Sequence, residues 1–396
     1  MAKRYTPARR KKAPSSLPLE ARLLHYKKLD RKDTDGKVFL CTVVLIVIVL
    51  FSRLLSLWPP ATPKVSREAN DVFAASLVGD LNFGGPLEEV IKKRGWAYLF
   101  ASAKPYFEAS DHTSGNFNQP ILLRPTPEYE PSPSREPRHT SEGAASALAA
   151  AKFTTLTLAN PNIMDYSVGG LMETTERLEH AGLTPVGAGI QQIKARTASY
   201  ATHGALKIAT LAASDVGTAY DLASPRSAGA ARARLDSLLP EVQKARKQAD
   251  VVLVHLHWGV RLDNKENQRQ RTIGRALIDA GADVVIGHYP GALQPIEVYK
   301  DGVILYSLGN FTTDQPWTKS KETVIARYFV QADGTRRLEL IPMQIHEGAP
   351  RSLQGFTHIL QRRRMMALLQ RGHSAQGSLQ EKDGRFVLLL PKRSPS

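Results

Sequence analysis

VVLVHLHWGVRLDNKENQRQRTIGRALIDAGADVVIGH runs from Val251 to His288. Its first seven residues, Val251–His257, are an apolar, β-branched run of strand length. Gln268 to Ala280 reads as a helix closed by Gly281, and Asp283 to Gly287 as a second short strand. Strand, helix and strand in that order mark an α/β protein.

The same alternation extends upstream. Phe73 to Gly85 reads as a strand entering a Gly-rich turn, and Pro86 to Phe100 as a helix. A Pro-rich polar stretch, Arg124 to Pro137, is expected to be an exposed loop. Glu142–Ala151 is an Ala-rich helix and Phe153–Ala159 a strand. Leu171, Thr175, Leu178 and Ala181 keep a helical stripe that Gly182 ends. Leu206–Ala212 is a strand, and Ala228–Ala249 is helix-like with Pro240 as a break or kink. Downstream, IEVYKDGVILYSLGN reads as a hairpin turned at Asp301-Gly302, so some pairing is antiparallel. No internal repeat appears. The segment from Arg351 reads as a tail whose run Arg362–Arg364 is a solvated helix face.

The chain has 396 residues and a formal net charge of +16. Residues 1–37 hold 12 Lys/Arg against 4 Asp/Glu, which is half of that excess. A nucleic-acid binder would carry its basic stripe, with aromatics, in the folded part. Here the dense block is an N-terminal arm, so no nucleic acid is expected. Val38 to Ser52 is almost purely apolar, and extension to Trp58 gives 21 residues, or about 31 Å at about 1.5 Å per residue. That spans a hydrocarbon core of about 30 Å. Arg53 can snorkel, Trp58 suits the interface, and Pro59-Pro60 end the helix. A cleaved signal peptide needs a short basic region and a small-residue cleavage site, and LWPPATPK offers none. The expectation is a single-pass anchor in the cell membrane. By the positive-inside rule the N-terminus is cytoplasmic and the main domain outside. The single cysteine, Cys41, lies in the apolar run, so no intrachain disulfide can form.

Polar residues gather where strands end. Asp80 closes the first strand, and Asn160 and Asn162 follow the third. His255 and His257, two apart, share a strand face. His288 follows VVIG, and Asn310 follows LYSLG. Carboxylate, amide and imidazole at strand ends are what a metal-assisted hydrolase requires. Taken singly, a Gly-Asp after a strand is an ordinary turn, and a histidine there an ordinary hydrogen-bonded residue.

The blocks GDLNFGG, KPYFEASDHTSGNFNQP, LANPNIMDYSVGG, VHLHWGVRLDN, LIDAGADVVIGHYPGALQPIEVY and ILYSLGNFTTDQPWT stand in that order. Together they resemble the CapA/PgsA family of poly-γ-glutamate capsule biosynthesis. The resemblance covers roughly residues 69–348 and includes the basic arm and single anchor. It implies a calcineurin-like metallophosphatase fold, layered α/β with mixed sheets, and partners among polymer synthase and export subunits. It implies a polyanionic polymer as ligand, which the basic surplus suits. The implied divisions are a basic arm at 1–37, an anchor at 38–58, a linker at 59–70, the phosphatase-like domain at 71–348 and a tail at 349–396.

The family pattern also shows losses. Asn-x-Glu, whose Glu resembles a metal-bridging carboxylate, is Asn116-Phe117-Asn118 here. Ala-Asn-Asn-His is Ala159-Asn160-Pro161-Asn162, so a ligand and an acid are replaced. Gly-His-His-Pro-His ends in Gly291 rather than a metal-ligating His. The acidic residue after HWG is Arg261. Asp80, Asp165, His257, Trp258, His288 and Asn310 match.

Two adjacent divalent cations need anionic ligands to offset their repulsion. Pro161 and Gly291 have no ligand atom, and an amide such as Asn162 does not titrate usefully near pH 7. The expectation is lost or altered chemistry at Asn118, Pro161, Asn162 and Gly291. A reduced site for one divalent metal (Mn, Fe or Zn) from Asp80, His257 and His288, with His255, stands beside a site with no metal at all. Correspondingly, the chain reads as an accessory component of capsule polymer synthesis and export. The alternative is a hydrolase of phosphoester or γ-glutamyl bonds.

Overall fold

The computed structural model describes residues 18–56, 65, 67–124, 129, 131–132, 136–371 and 379–392. The chain divides into two compact units, residues 1–60 and 61–396.

The described residues of the first unit form one helix, Leu19–Ser56. Its stretch Thr34–Phe51 is long and apolar enough to cross a membrane, and none of it is buried. The helix starts well before the expected anchor at Val38. The half of the basic arm from Leu19 onward is therefore helical rather than a loose extension, in keeping with good helix formers such as Leu23, Leu24, Lys27 and Lys28. Trp58, Pro59 and Pro60 lie outside the described residues.

The second unit is built on two sheets. Among the described residues the larger has ten strands, eight of them in one path. That path runs Gln380–Lys382, Arg385–Leu390, Arg336–His346, Glu322–Gln331, Asp71–Leu81, His112–Phe117, Thr155–Thr157 and Thr184–Val186. Asn310–Thr312 adds to Asp71–Leu81, and Ala349–Ser352 to Arg336–His346. The smaller sheet runs Ile296–Tyr299, Gly302–Leu305, Val284–His288, Val251–His257, Leu206–Ser214 and Ser199–His203. The expected strand–helix–strand unit lies at its centre, with Val251–His257 parallel to Val284–His288.

Side-chain alternation sets the layers. Val251 and Leu253 face inward and pack with Phe73, Leu77 and Tyr328 of the larger sheet. Val252, Val254 and Leu256 face outward against Leu238, Val242 and Leu277 of the helices Leu235–Arg246 and Gln268–Asp279. On the other side Leu99, Phe107, Leu148 and Leu171 cover Val78, Leu81 and Leu156. The result is helices, sheet, sheet, helices: a layered α/β arrangement with mixed sheets.

Parallel pairing aligns the strand ends that carry polar residues. Asp80 lies beside both Asn116 and Asn310, and His288 beside His257. Two glycines permit the close approach of chain segments there. A Cβ on Gly79 would lie 1.9 Å from the Gly309 carbonyl oxygen, and one on Gly287 1.9 Å from that of Tyr306.

Four expectations are corrected. The hairpin pairs Tyr299 with Gly302, so its turn residues are Lys300 and Asp301, with Lys300 at φ 52°. The helix after Ala228 starts only at Leu235 and continues through Pro240, while Gly229–Ala230 pairs with Ala188–Gly189. The segment after residue 348 is no separate tail, since Arg385–Leu390 extends the larger sheet. Nor is the arginine run wholly solvated: Arg362 is buried, pairs with Glu381 at 2.7 Å and donates to the carbonyls of Leu353 and Gly355.

Candidate functional site

The candidate site lies at the C-terminal ends of the parallel strands, and Asp80 is its centre. This side chain is buried. Its Oδ1 accepts from Asn116 Nδ2 at 2.7 Å, and its Oδ2 from the Tyr289 backbone N–H at 3.0 Å. His288 Nδ1 is 3.5 Å from Oδ1. Burial would raise the Asp80 pKa, but His288, then His257 and Asn116, outweigh it and hold the carboxyl below its ordinary value. Asp80 is therefore ionised at neutral pH.

The histidines form a buried row on the inward faces of their strands. His288 Nε2 lies 2.9 Å from His255 Nδ1, with the rings 9° from parallel. His255 Nε2 meets Ser114 Oγ at 3.1 Å across the gap between the sheets. Both of its ring nitrogens are thus engaged, and His255 is no free ligand. One step along, His257 Nδ1 faces Asn116 Nδ2 at 3.4 Å. The Tyr289 ring lies against His257, with centroids 4.9 Å apart. Burial drives the His257 pKa down to about 4 despite the opposing pull of Asp80. Burial, then His288 and His112, push His255 well below its ordinary range. Both rings are neutral at pH 7.

Around Asp80 run five asparagine side chains joined head to tail. Asn160 Nδ2 donates to Asn116 Oδ1 at 3.1 Å. Asn116 Nδ2 donates to Asn118 Oδ1 at 3.3 Å, and Asn118 Nδ2 to Asn82 Oδ1 at 3.0 Å. Asn82 Nδ2 reaches Asn310 Oδ1 at 3.5 Å, and Asn310 Nδ2 ends on the carbonyls of Gly291 and Ser320, both at 3.3 Å. Asn162 joins from the side, donating to the Asn118 carbonyl at 3.1 Å.

The other expected positions have different duties. Pro161 begins a buried 3-10 turn, Pro161–Met164, behind Asn160. Asp165 is buried and holds the Pro-rich insert: its Oδ2 accepts from Arg138 N at 3.0 Å, and its carbonyl from Ser132 N at 2.8 Å. Trp258 belongs to the core beside Tyr306, donating to its carbonyl at 2.9 Å. Gly291 sits at φ 62°, a backbone that disfavours any side chain, and a Cβ there would lie 3.3 Å from Asn310 Nδ2. Arg261 is exposed, on a loop tied to the site by Leu262 N donating to the Pro290 carbonyl at 2.7 Å.

Sequence reasoning missed Asn82, Asn116, Ser114 and Tyr289 as working parts. The spacing held a clue for two of them. Asn82 follows Asp80 by two, and Asn116 precedes Asn118 by two, so each pair is spaced to share a strand face. Nothing in the sequence announced Tyr289, whose φ of 90° is unusual for a non-glycine residue and aims its N–H at Asp80.

Two buried atoms without a hydrogen bond favour a cation: His288 Nδ1, which faces Asp80, and Asn160 Oδ1. The remaining donors do not fit. His255 is fully bonded, and the amide oxygens of Asn116, Asn118, Asn82 and Asn310 each accept from a neighbour. Among the described residues, no three His, Cys, Asp or Glu side chains are grouped so as to hold a metal ion. A structural divalent site takes at least four ligands and an open catalytic one at least three from protein.

Residues 74–315 match the family model described as "Bacterial capsule synthesis protein PGA_cap". The chain is 36% identical over 335 residues to the "PGA biosynthesis protein CapA" of Bacillus subtilis, covering 84% of this chain and 87% of that one. It is 32% identical over 378 residues to the "Capsule biosynthesis protein CapA" of Bacillus anthracis, covering 94% and 91%. A "Probable polyglutamine synthesis accessory protein" of Mycobacterium tuberculosis is 30% identical over 179 residues, covering 42% and 47%. A family model that spans most of the domain, and relatives aligned along nearly their whole length, place this chain in the PGA_cap family of bacterial capsule synthesis proteins.

Proposed function

We propose that this chain is a membrane-anchored accessory component of poly-γ-glutamate capsule synthesis and export, with lost or altered metallohydrolase chemistry. Its apolar helix holds it at the cell membrane with the N-terminus cytoplasmic. The domain after residue 60 handles the emerging polymer on the outer side, next to the synthase and export subunits. The names carried by its relatives support the pathway. The observation that carries the non-catalytic part is the amide at Asn118 and at Asn162. A reaction of the resembled kind needs a metal-bridging carboxylate at the first and a proton donor at the second, and an amide supplies neither at neutral pH.

The direct test is binding of poly-γ-glutamate by the full-length protein in detergent across a salt series. Binding that weakens as salt rises is expected, because the ligand is polyanionic and the protein basic. Equal binding of a neutral polymer at every salt concentration overturns the reading.

A second reading draws on the unbonded His288 Nδ1 beside Asp80. It is a metal-dependent hydrolase of phosphoester or γ-glutamyl bonds with a reduced site. It requires Mn, Fe or Zn in the purified protein and hydrolysis abolished by His257→Ala. Protein that is metal-free and inactive with each added metal eliminates it.

A further inference from the structure

We infer that the five-asparagine chain takes over the structural task of a metal centre, tying the strand ends together so that the cleft is stable without a cation. Three observations converge on it. First, the linked side chains come from separate segments: Asn160 follows Thr155–Thr157, Asn116 and Asn118 lie in and just after His112–Phe117, Asn82 follows Asp71–Leu81, and Asn310 opens Asn310–Thr312. A metal centre at strand ends cross-links segments in the same way, through ligands drawn from each.

Second, the links are mutually satisfying. Each amide between the ends both donates to the next and accepts from the last. Asn116 is fully buried, where an amide without partners is costly, and both its Oδ1 and its Nδ2 are engaged; Asn160, at the head of the row, donates through Nδ2 while its own Oδ1 accepts no hydrogen bond. An oxygen already holding its neighbour's N–H has one lone pair left for a cation, and the row satisfies these amides without one.

Third, the electrostatics suit a cation-free state. The Asp80 carboxylate is compensated locally by Asn116 Nδ2 and the Tyr289 N–H. A carboxylate at position 118 would sit within reach of Asn116, which also holds Asp80. Two carboxylates would then crowd one buried cleft, and a divalent ion would relieve their repulsion.

The inference shares its cleft with the proposed function but does not depend on the polymer. A melting result against it leaves polymer binding standing, and failure of polymer binding leaves the melting result standing.

The test is thermal melting of the full-length protein in detergent, with EDTA and then with Mn2+ or Zn2+. Wild-type curves are expected to superimpose in all three conditions. Asn118→Ala cuts the chain at its middle and is expected to melt several degrees lower, equally with and without metal. Asn118→Glu is expected to melt lower than wild type in EDTA and to recover on addition of Mn2+. A wild type destabilised by EDTA or stabilised by either metal overturns the inference. An Asn118→Ala protein that melts with wild type overturns the tying role. An Asn118→Glu protein indifferent to metal overturns the claim that this amide keeps a cation out. If Asn118→Glu fails to fold, wild type and Asn118→Ala still decide.

Discussion

At the scale of single residues, the fate of a buried histidine is set by what faces it. His112 lies outside the asparagine chain, at the start of the strand that carries Asn116. Burial, then the nearby His203, push its pKa down to about 3. Its Nδ1 meets Thr154 Oγ1 at 3.3 Å. A histidine depressed in the folded state binds its proton more readily once unfolded. Its contribution is therefore complete above the unfolded value near 6.5 and declines as pH falls toward 3. This group alone should remove about 2–3 kcal/mol of stability between pH 7 and pH 4.5. Urea midpoints measured at the two pH values, with His112→Gln as comparison, check the expectation. A midpoint unchanged on acidification contradicts it. Arg362 and Arg363 make a second pair of expectations. Arg362→Ala removes a buried cation from Glu381 and two carbonyls and should cost about 2–3 kcal/mol. Arg363 is exposed, and Arg363→Ala should stay within about 0.5 kcal/mol of wild type. Denaturant titration of both variants separates a keystone from a surface charge.

At the scale of elements, the sequence displayed the strands and helices more clearly than their partners. Val251–His257, the helix to Asp279 and the strand to His288 were legible because their apolar residues recur with the period of each element. The inward face of His255 and His257 followed from the same alternation. The C-terminal strands were not legible, since a short alternating run such as Arg385–Leu390 does not say which sheet edge it will join. Arg362 looked solvated because arginine usually is, and only the fold supplies Glu381 beside it. In the site, the departures at Asn118, Pro161, Asn162 and Gly291 were legible only against the pattern of the family that the motifs resemble. The amide chain could not, because it depends on which strand ends become neighbours. The crossing that brings them together is sensitive to one atom. Gly79→Ala would set a methyl group against the Gly309 carbonyl, with backbone on both sides and no flexible side chain to yield. A loss of about 3 kcal/mol or more is expected, read by urea denaturation. Wild-type stability in that variant would show that the crossing is looser than described.

At the scale of the whole molecule, the described residues of the first unit form a helix of 38 residues, about 57 Å at 1.5 Å per residue. That exceeds a hydrocarbon core of about 30 Å, so a good part of it, basic side chains included, extends into water or headgroups. The full chain should sediment with membranes and resist alkaline carbonate. A chain lacking residues 1–60 should remain in the supernatant. Recovery of the shortened chain with the membrane pellet would mean that the second unit has a membrane affinity of its own.

The chain of amides also has a sense of direction. Every link from Asn160 to Asn310 points its N–H the same way. Fixed acceptors hold that sense: the Phe117 carbonyl for Asn160, the Thr312 carbonyl for Asn82, and the Gly291 and Ser320 carbonyls for Asn310. Asp80 does the same for Asn116, since a reversed amide there would present its oxygen to a carboxylate oxygen. The retained aspartate thus works as the polarity key for the middle of the row. In Asp80→Asn that key itself can turn over, while the carbonyls still hold both ends. Side-chain amide signals that are single in wild type should then double or broaden at Asn116 and Asn118 and stay single at Asn160 and Asn310.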